Sequence, residues 1–261
     1  MRRLASAVAA VLAFSAAPAW AHFQLVYTPV VNLENPETLP FKLVFTHPFE
    51  NGHAMDMGKP ESFSYSFKGE RTDLTNALKP ITWHGASNAS KAFEAEVKIQ
   101  RNGDYIFVLV PEPYFEGSEG IYIQQITKSF VNKGGVPTGW EQPVGLPTEI
   151  VPLNKPYNLL TGSTFSGVLL SDGKPAAGVE IEIEYMAALP DMKANKPGEV
   201  TAQPASSALV AITDERGVFT FGIPKAGFWG FAALGSGPVK EHKGKELSQD
   251  AVIWIYAEDM K

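Results

Sequence analysis

Apolar and polar residues alternate along most of this chain. The stretches "FKLVFTH", "KAFEAEVKI", "DYIFVLV", "GIYIQQITKSFV", "TFSGVLL", "GVEIEIEYMA", "GVFTFGI" and "AVIWIYA" read with period two or as short β-branched and aromatic runs. Successive side chains of a strand point to opposite faces, so each alternating stretch gathers its apolar set on one side. No capped apolar pattern at helical spacing exceeds a few turns; "TDLTNALKPI" predicts one short helical turn that Pro80 stops. The pattern is that of an all-β protein.

Between Val136 and Pro156 the sequence "VPTGWEQPVGLPTEIVPLNKP" carries five prolines and two glycines. Such a composition resists a central strand and suits a connection running over a surface. It predicts two β-sandwich domains, residues 22–136 and 161–261, joined by a Pro-rich connection over 137–160. In the second, "GSTFSGVLLSDGKPAAGVEIEIEY" joins two strands through an Asp-Gly turn and "ITDERGVFTF" does so through Arg-Gly. The polar, Pro-rich "ALPDMKANKPGEVTAQPASS" reads as a long exposed loop. Glu180, Glu182 and Glu184 of "EIEIEY" read as the solvated face of a strand.

The first residues, "MRRLASAVAAVLAFSAAPAWA", have two arginines, an apolar run and small residues at Ala19 and Ala21, the layout of a cleaved secretory signal. The run from Leu4 to Ala17 is shorter than the ~20 apolar residues that span a bilayer, and no second apolar segment is long enough to do so. Cleavage after Ala21 removes 21 of 261 residues and leaves 240, beginning at His22. Loss of Arg2 and Arg3 takes the 22 basic side chains to 20 against 28 acidic ones, a formal charge of −8. That balance argues against nucleic acid or a polybasic membrane contact and suits attraction of cations. The chain has no cysteine, which excludes disulfides, thiolate metal sites and a cysteine nucleophile together.

Three of the five histidines, His22, His47 and His53, lie in the first quarter of the chain. In "FTHPFENGHAMDMGKP" a strand ends at His47-Pro48, and a turn-forming Asn51-Gly52 precedes His53. An extended chain beyond that turn puts His53, Met55 and Met57 on one face and Asp56 on the other. After cleavage, the α-amine of His22 and its own Nδ1 can close a six-membered chelate ring on a metal ion. With unperturbed pKa values of about 7.7–8.0 and 6.5, both nitrogens are cheaply deprotonated near neutral pH. His47 and His53 would complete a mostly nitrogen site suited to nickel, cobalt, copper or zinc. Against this, H-x5-H matches no strong zinc signature, Met55 and Met57 are by default gap-fillers under a loop, and His84 and His242 read as exposed loop residues.

Enzyme signatures are missing: there is no G-x-S-x-G, H-E-x-x-H, phosphate-cradling G-x-x-x-x-G-K-[ST] or EF-hand loop. The expectation is a binding protein rather than an enzyme.

A mature start at "HF", then "HPFENGHAMDMGKP", "DYIFVLVPEPYF", "PVGLPTEIVPL", "DGKPAAGVEIEIEY" and "DERGVFTF…AGFWGFAAL" in this order resemble a family of bacterial periplasmic proteins. That family is commonly described as the periplasmic component of cobalt/nickel ABC-type uptake systems and is widely labelled a domain of unknown function. The second half also resembles the transthyretin-like or carboxypeptidase-regulatory-like β-sandwich, an immunoglobulin-like module with no fixed function. The resemblance implies a periplasmic protein that captures Ni(II) or Co(II) and delivers it to a membrane uptake transporter or buffers it. The positions it matches are His22, His47, His53 and Met57, with His242 of the late loop as an outside candidate. Two other classes stay open: a Cu(II) protein built on the terminal histidine, whether carrier or oxidative polysaccharide-cleaving enzyme, and an adhesion or scaffold protein whose histidines are incidental.

Overall fold

The computed structural model describes residues 22–49, 52–202 and 209–260. The expected signal segment and Asn51 lie outside the described residues. In chain order the strands are β1 (Phe23–Tyr27), β2 (Asn32–Leu33), β3 (Glu37–Thr46), β4 (Ala54–Met55), β5 (Ser62–Phe67), β6 (Glu70–Asp73), β7 (Lys79–His84) and β8 (Ala89–Ile99). They continue as β9 (Gly103–Val110), β10 (Tyr114–Glu116), β11 (Ile121–Lys133), β12 (Thr148–Pro152), β13 (Leu159–Leu160), β14 (Thr164–Ser171), β15 (Lys174–Pro175) and β16 (Glu180–Tyr185). The last are β17 (Ala188–Asp191), β18 (Lys196–Val200), β19 (Leu209–Ile212), β20 (Val218–Gly222), β21 (Gly227–Ala233), β22 (Glu241–His242) and β23 (Lys245–Glu258). The short helical turn ahead of Pro80 is a 3-10 turn, Thr75–Ala77.

The chain is all-β, as the alternation predicts. Its largest sheet has 12 strands and runs β19-β16-β21-β23-β11-β9-β5-β6, with short strands on its flanks. A five-stranded sheet, β1-β3-β8-β7 with β4 beside β3, packs on the β5, β9 and β11 side through Phe41, Leu43, Phe63, Phe107 and Leu109. A four-stranded sheet of β12, β14, β15 and β20 packs on the β16, β21 and β23 side through Ile150, Phe165, Phe219, Phe231 and Ile253. Two sandwiches therefore share one sheet, joined where β11 and β23 pair in parallel, Tyr122 opposite Leu247 through Lys128 opposite Ile253.

Strand β1 is buried over its whole length because it has apolar neighbours on both sides. Phe23, Leu25 and Tyr27 face one core, with Trp254 and Phe228; Val26 faces the other. This places the residue before Phe23 at the junction of the sheets.

The Asp-Gly turn is realised in detail, whereas the Arg-Gly turn links β19 and β20, which lie in different sheets and pair with β16 and β14 instead of with each other. The Asp-Gly turn joins β14 and β15 with φ +50° at Asp172 and +70° at Gly173, the pair of positive angles a tight type I′ hairpin needs. Other expectations differ. The Pro-rich connection contains β12, buried at all five residues and paired with β14 as an edge strand, where proline is tolerated. The stretch read as a long loop folds into the β17–β18 hairpin: Asp191 Oδ1 accepts the Lys193 and Ala194 amides at 3.0 and 2.9 Å, and the Asn195 carbonyl takes the His84 amide of β7. Residues 203–208 of that stretch lie outside the described residues. Glu182 and Glu184 are buried, not solvated. Strand β16 lies inside the sheet between β19 and β21, and the Phe49 amide donates to Glu184 Oε2 at 3.1 Å. Among the described residues no helix is long and apolar enough to cross a membrane.

Candidate metal centre

Strand register brings the three early histidines together. Phe23 pairs with Thr46, and Thr46 pairs in turn with Ala54. One residue beyond each pair, His22 stands beside His47 and His47 beside His53, so three adjacent strand ends present a row of imidazoles. Ring centroids are 4.5 Å apart for His22 and His47, 4.8 Å for His47 and His53, and 6.5 Å for His22 and His53. One ligating nitrogen from each ring lies within 4.8 Å of the others.

Each histidine backbone is held from outside its own strand. The His22 carbonyl accepts Gln125 Nε2 of β11 at 2.7 Å, and Gln125 Oε1 accepts the Gln24 amide at 2.8 Å. Trp254 Nε1 donates to the Gln24 carbonyl at 2.9 Å, and its ring packs edge-on against Phe23. After His47 the chain turns tightly, the Gly52 amide donating to the His47 carbonyl at 3.3 Å. A Cβ at Gly52 would come within 3.2 Å of His47 Cβ, so a larger residue there would have to shift His47 slightly. The His53 carbonyl accepts Thr46 Oγ1 at 3.2 Å, and the amide side chain of Asn88 brackets Ala54 at 2.9 and 2.7 Å.

The other expected residues fall elsewhere. Met55 and Met57 are buried in the core shared with Phe45, whereas His53 is exposed; the face predicted for all three is split between core and surface. Met57 Sδ lies 3.5 Å from Gln24 Nε2. Asp56 is exposed and accepts the Lys91 amide at 2.7 Å. His84 is exposed at the end of β7. His242 is half-buried on β22, edge-on to Tyr122, and is not among the clustered imidazoles.

Glu116 belongs to no motif or spacing that marks it in the sequence. It ends the three-residue strand β10, and its Oε2 is 3.4 Å from His22 Nε2. Burial raises the carboxyl pKa, but hydrogen bonds from Ser118 and the charges of His22 and His53 outweigh it and hold Glu116 below the usual carboxylate range. Farther back two acids have the opposite character. Burial, with Glu180, Asp250 and Glu119 nearby, pushes Glu182 up to about 7. Burial pushes Asp250 up to about 6 against hydrogen bonds from Ser248, Gly235 and Gln125. Of the three acids, the ionised Glu116 carboxylate against His22 is the one whose charge favours a cation at the centre.

Three imidazoles form a donor set for a borderline divalent cation. Metal–nitrogen bonds of about 2.0–2.1 Å place ligand nitrogens roughly 3.3 Å apart in a tetrahedron, so side-chain rotations of about an ångström would close the observed triangle onto an ion.

Fold and site define a class: an all-β chain of sheet-sharing sandwiches with a tri-histidine cluster where three strand ends meet. Residues 19–237 match the domain of unknown function DUF4198, and the chain belongs to that family. No curated protein matches it in sequence. Among solved structures it is similar to the adhesin InvE of Yersinia pseudotuberculosis, at 13% identity with a TM-score of 0.23, covering 88% of this chain and 58% of that one. It is also similar to the D0-D1 domain of intimin, at 9% identity with a TM-score of 0.20, covering 88% and 96%. A third is the Escherichia coli adhesin FdeC, at 13% identity with a TM-score of 0.22, covering 90% and 64%. The chain spans about 58% of the InvE structure it matches.

Proposed function

We propose that this chain is a periplasmic transition-metal-binding protein that captures Ni(II) or Co(II) and passes it to a membrane uptake transporter or buffers it. The observation that carries the reading is the cross-strand row of His22, His47 and His53, with ligating nitrogens within 4.8 Å of one another. The family description names no metal, so the reading rests on these side chains. Cleavage after Ala21 adds a fourth nitrogen, the His22 α-amine, without any further residue. Met57, buried nearby with its sulfur against Gln24, is the least supported of the ligands the resemblance implies. The protein acts here by binding rather than by catalysis. Nitrogen donors alone bind Cu(II) more tightly than Ni(II) or Co(II), so the cargo is set by supply and delivery as much as by affinity.

The test is calorimetric titration of Ni(II), Co(II), Cu(II) and Zn(II) into protein beginning at His22 and into protein carrying one extra residue before it. Tight binding that weakens at least tenfold on extension supports a terminal chelate. Equal affinity in the two would sink the chelate while leaving a tri-imidazole site.

The second reading is an adhesion or scaffold module that holds no metal, in keeping with the sandwich architecture of the chain. Undetectable binding of all four ions would decide for it.

A further inference from the structure

Glu116 stands beside His22 yet outside the triangle of histidine nitrogens. Both side chains are nearly enclosed, His22 11% and Glu116 12% exposed, with Oε2 3.4 Å from Nε2. The carboxylate is not free to swing. Its other oxygen, Oε1, accepts the Ser118 amide at 2.9 Å and the Ser118 hydroxyl at 2.6 Å. The backbone beneath is fixed as well: Glu116 pairs with Ile121 of β11, and the Gly120 amide donates to the Glu116 carbonyl at 2.8 Å. Gly120 takes φ +75° in that turn, an angle that suits glycine. One oxygen is thus occupied and the other lies 3.4 Å from His22 Nε2.

A neutral imidazole has one N–H and one lone pair, and the partner at one nitrogen decides which nitrogen keeps the lone pair. An ionised carboxylate accepts and does not donate. Facing Nε2, it favours the tautomer with hydrogen on Nε2 and leaves the lone pair on Nδ1. Counting atoms shows why that matters: metal, α-nitrogen, Cα, Cβ, Cγ and Nδ1 close a ring of six, whereas Nε2 lies on the far side of the imidazole and cannot close it.

We propose that Glu116 is a positioning residue that holds His22 in the Nε2–H tautomer and so presents Nδ1 to the incoming ion. This rests on the metal-binding reading above and adds a residue outside the ligand set. Carboxylates behind metal-bound histidines act this way generally, fixing the tautomer and raising the basicity of the ring.

The test uses the protein beginning at His22. Long-range proton–nitrogen NMR on the metal-free protein, at a pH where imidazoles are neutral, reads the His22 tautomer directly; Ni(II) titration reads affinity. The native protein should show the Nε2–H form. Glu116→Ala should give mixed tautomers, with Ni(II) affinity about ten- to hundredfold weaker. Glu116→Gln is sharper. Ser118 donates twice, so it should keep the amide oxygen and turn the amide NH2 toward Nε2, moving His22 toward the Nδ1–H form with a similar loss. An Nδ1–H native ring, or a tautomer unmoved in both variants, would overturn the proposal. Affinity lost with the tautomer unmoved would mark Glu116 as a ligand and overturn it equally. A native Nε2–H ring in a protein that binds no Ni(II) would defeat the metal reading and not the tautomer assignment.

Discussion

Gln125 grips the backbone of His22 from the neighbouring sheet, Nε2 donating to the His22 carbonyl at 2.7 Å while Oε1 accepts the Gln24 amide at 2.8 Å. The same Nε2 lies 3.3 Å from Asp250 Oδ2. Gln125→Leu keeps the approximate volume and strips these groups of a partner. Leaving a buried polar group unpaired costs about 1–3 kcal/mol, so urea unfolding should show a loss in that range. Under the proposed metal-binding reading, Ni(II) affinity should fall as well, because His22 loses its anchor. An unchanged unfolding midpoint would show that water replaces the glutamine.

His47 and His53 should separate stability from binding. His47 is 2% exposed and packed between two other rings, whereas His53 faces solvent. His53→Ala should weaken Ni(II) binding at least tenfold and leave the unfolding free energy within about 0.5 kcal/mol, as exposed substitutions generally do. His47→Ala should lose both affinity and about 1–3 kcal/mol of stability. Paired calorimetry and urea curves check the split; equal stability losses would contradict it.

The acids behind the site give a pH signature. Glu182 is raised from 4.5 to about 7 in the folded chain. Between those values the fold holds a proton that the unfolded chain has released. Its contribution is therefore full below about pH 4.5 and is lost as pH rises to about 7, by about 3 kcal/mol at most. Asp250, raised from 3.8 to about 6, acts in the same direction. Glu182→Gln should flatten the fall in stability from pH 5 to pH 8 and make the protein more stable than native at pH 8. Parallel slopes in the two proteins would refute the assignment.

Lys128 and Glu149 form a salt bridge of 2.7 Å with both side chains enclosed. Glu149 also accepts the Val144, Gly145 and Leu146 amides at 3.0 to 3.3 Å, which ties the Pro-rich segment to β11. Lys128→Met leaves a buried carboxylate without its cation and should cost about 3–5 kcal/mol. Adding Glu149→Gln should recover part of it, because the charge is gone and the amide oxygen still accepts. A double variant as unstable as the sum of the two singles would argue against coupling.

The fold class and much of the local detail were legible in the chain, because alternation and turn chemistry act over a few residues. Asp172-Gly173 and the turn at Thr75–Ala77 are of this kind. What escaped depends on partners far away in sequence. Glu182 and Glu184 alternate with isoleucines as solvated residues would, and only the strands on either side of β16 and the segment at Phe49 reveal their burial. The row His22, His47, His53 needs the register of β1, β3 and β4, which spacing alone does not specify. Glu116 had no signal, since its meaning comes from facing His22.

The parallel seam between β11 and β23 has a temporal consequence. Gln125, which secures the first residue of the described chain, pairs with Asp250 near its other end. During synthesis the N-terminal histidines emerge long before β23 exists, and contacts of such separation close slowly. The anchoring of His22 is thus completed only when β23 docks on β11 and brings Asp250 to Gln125 and Trp254 to Gln24, so a truncated copy should hold that histidine less firmly.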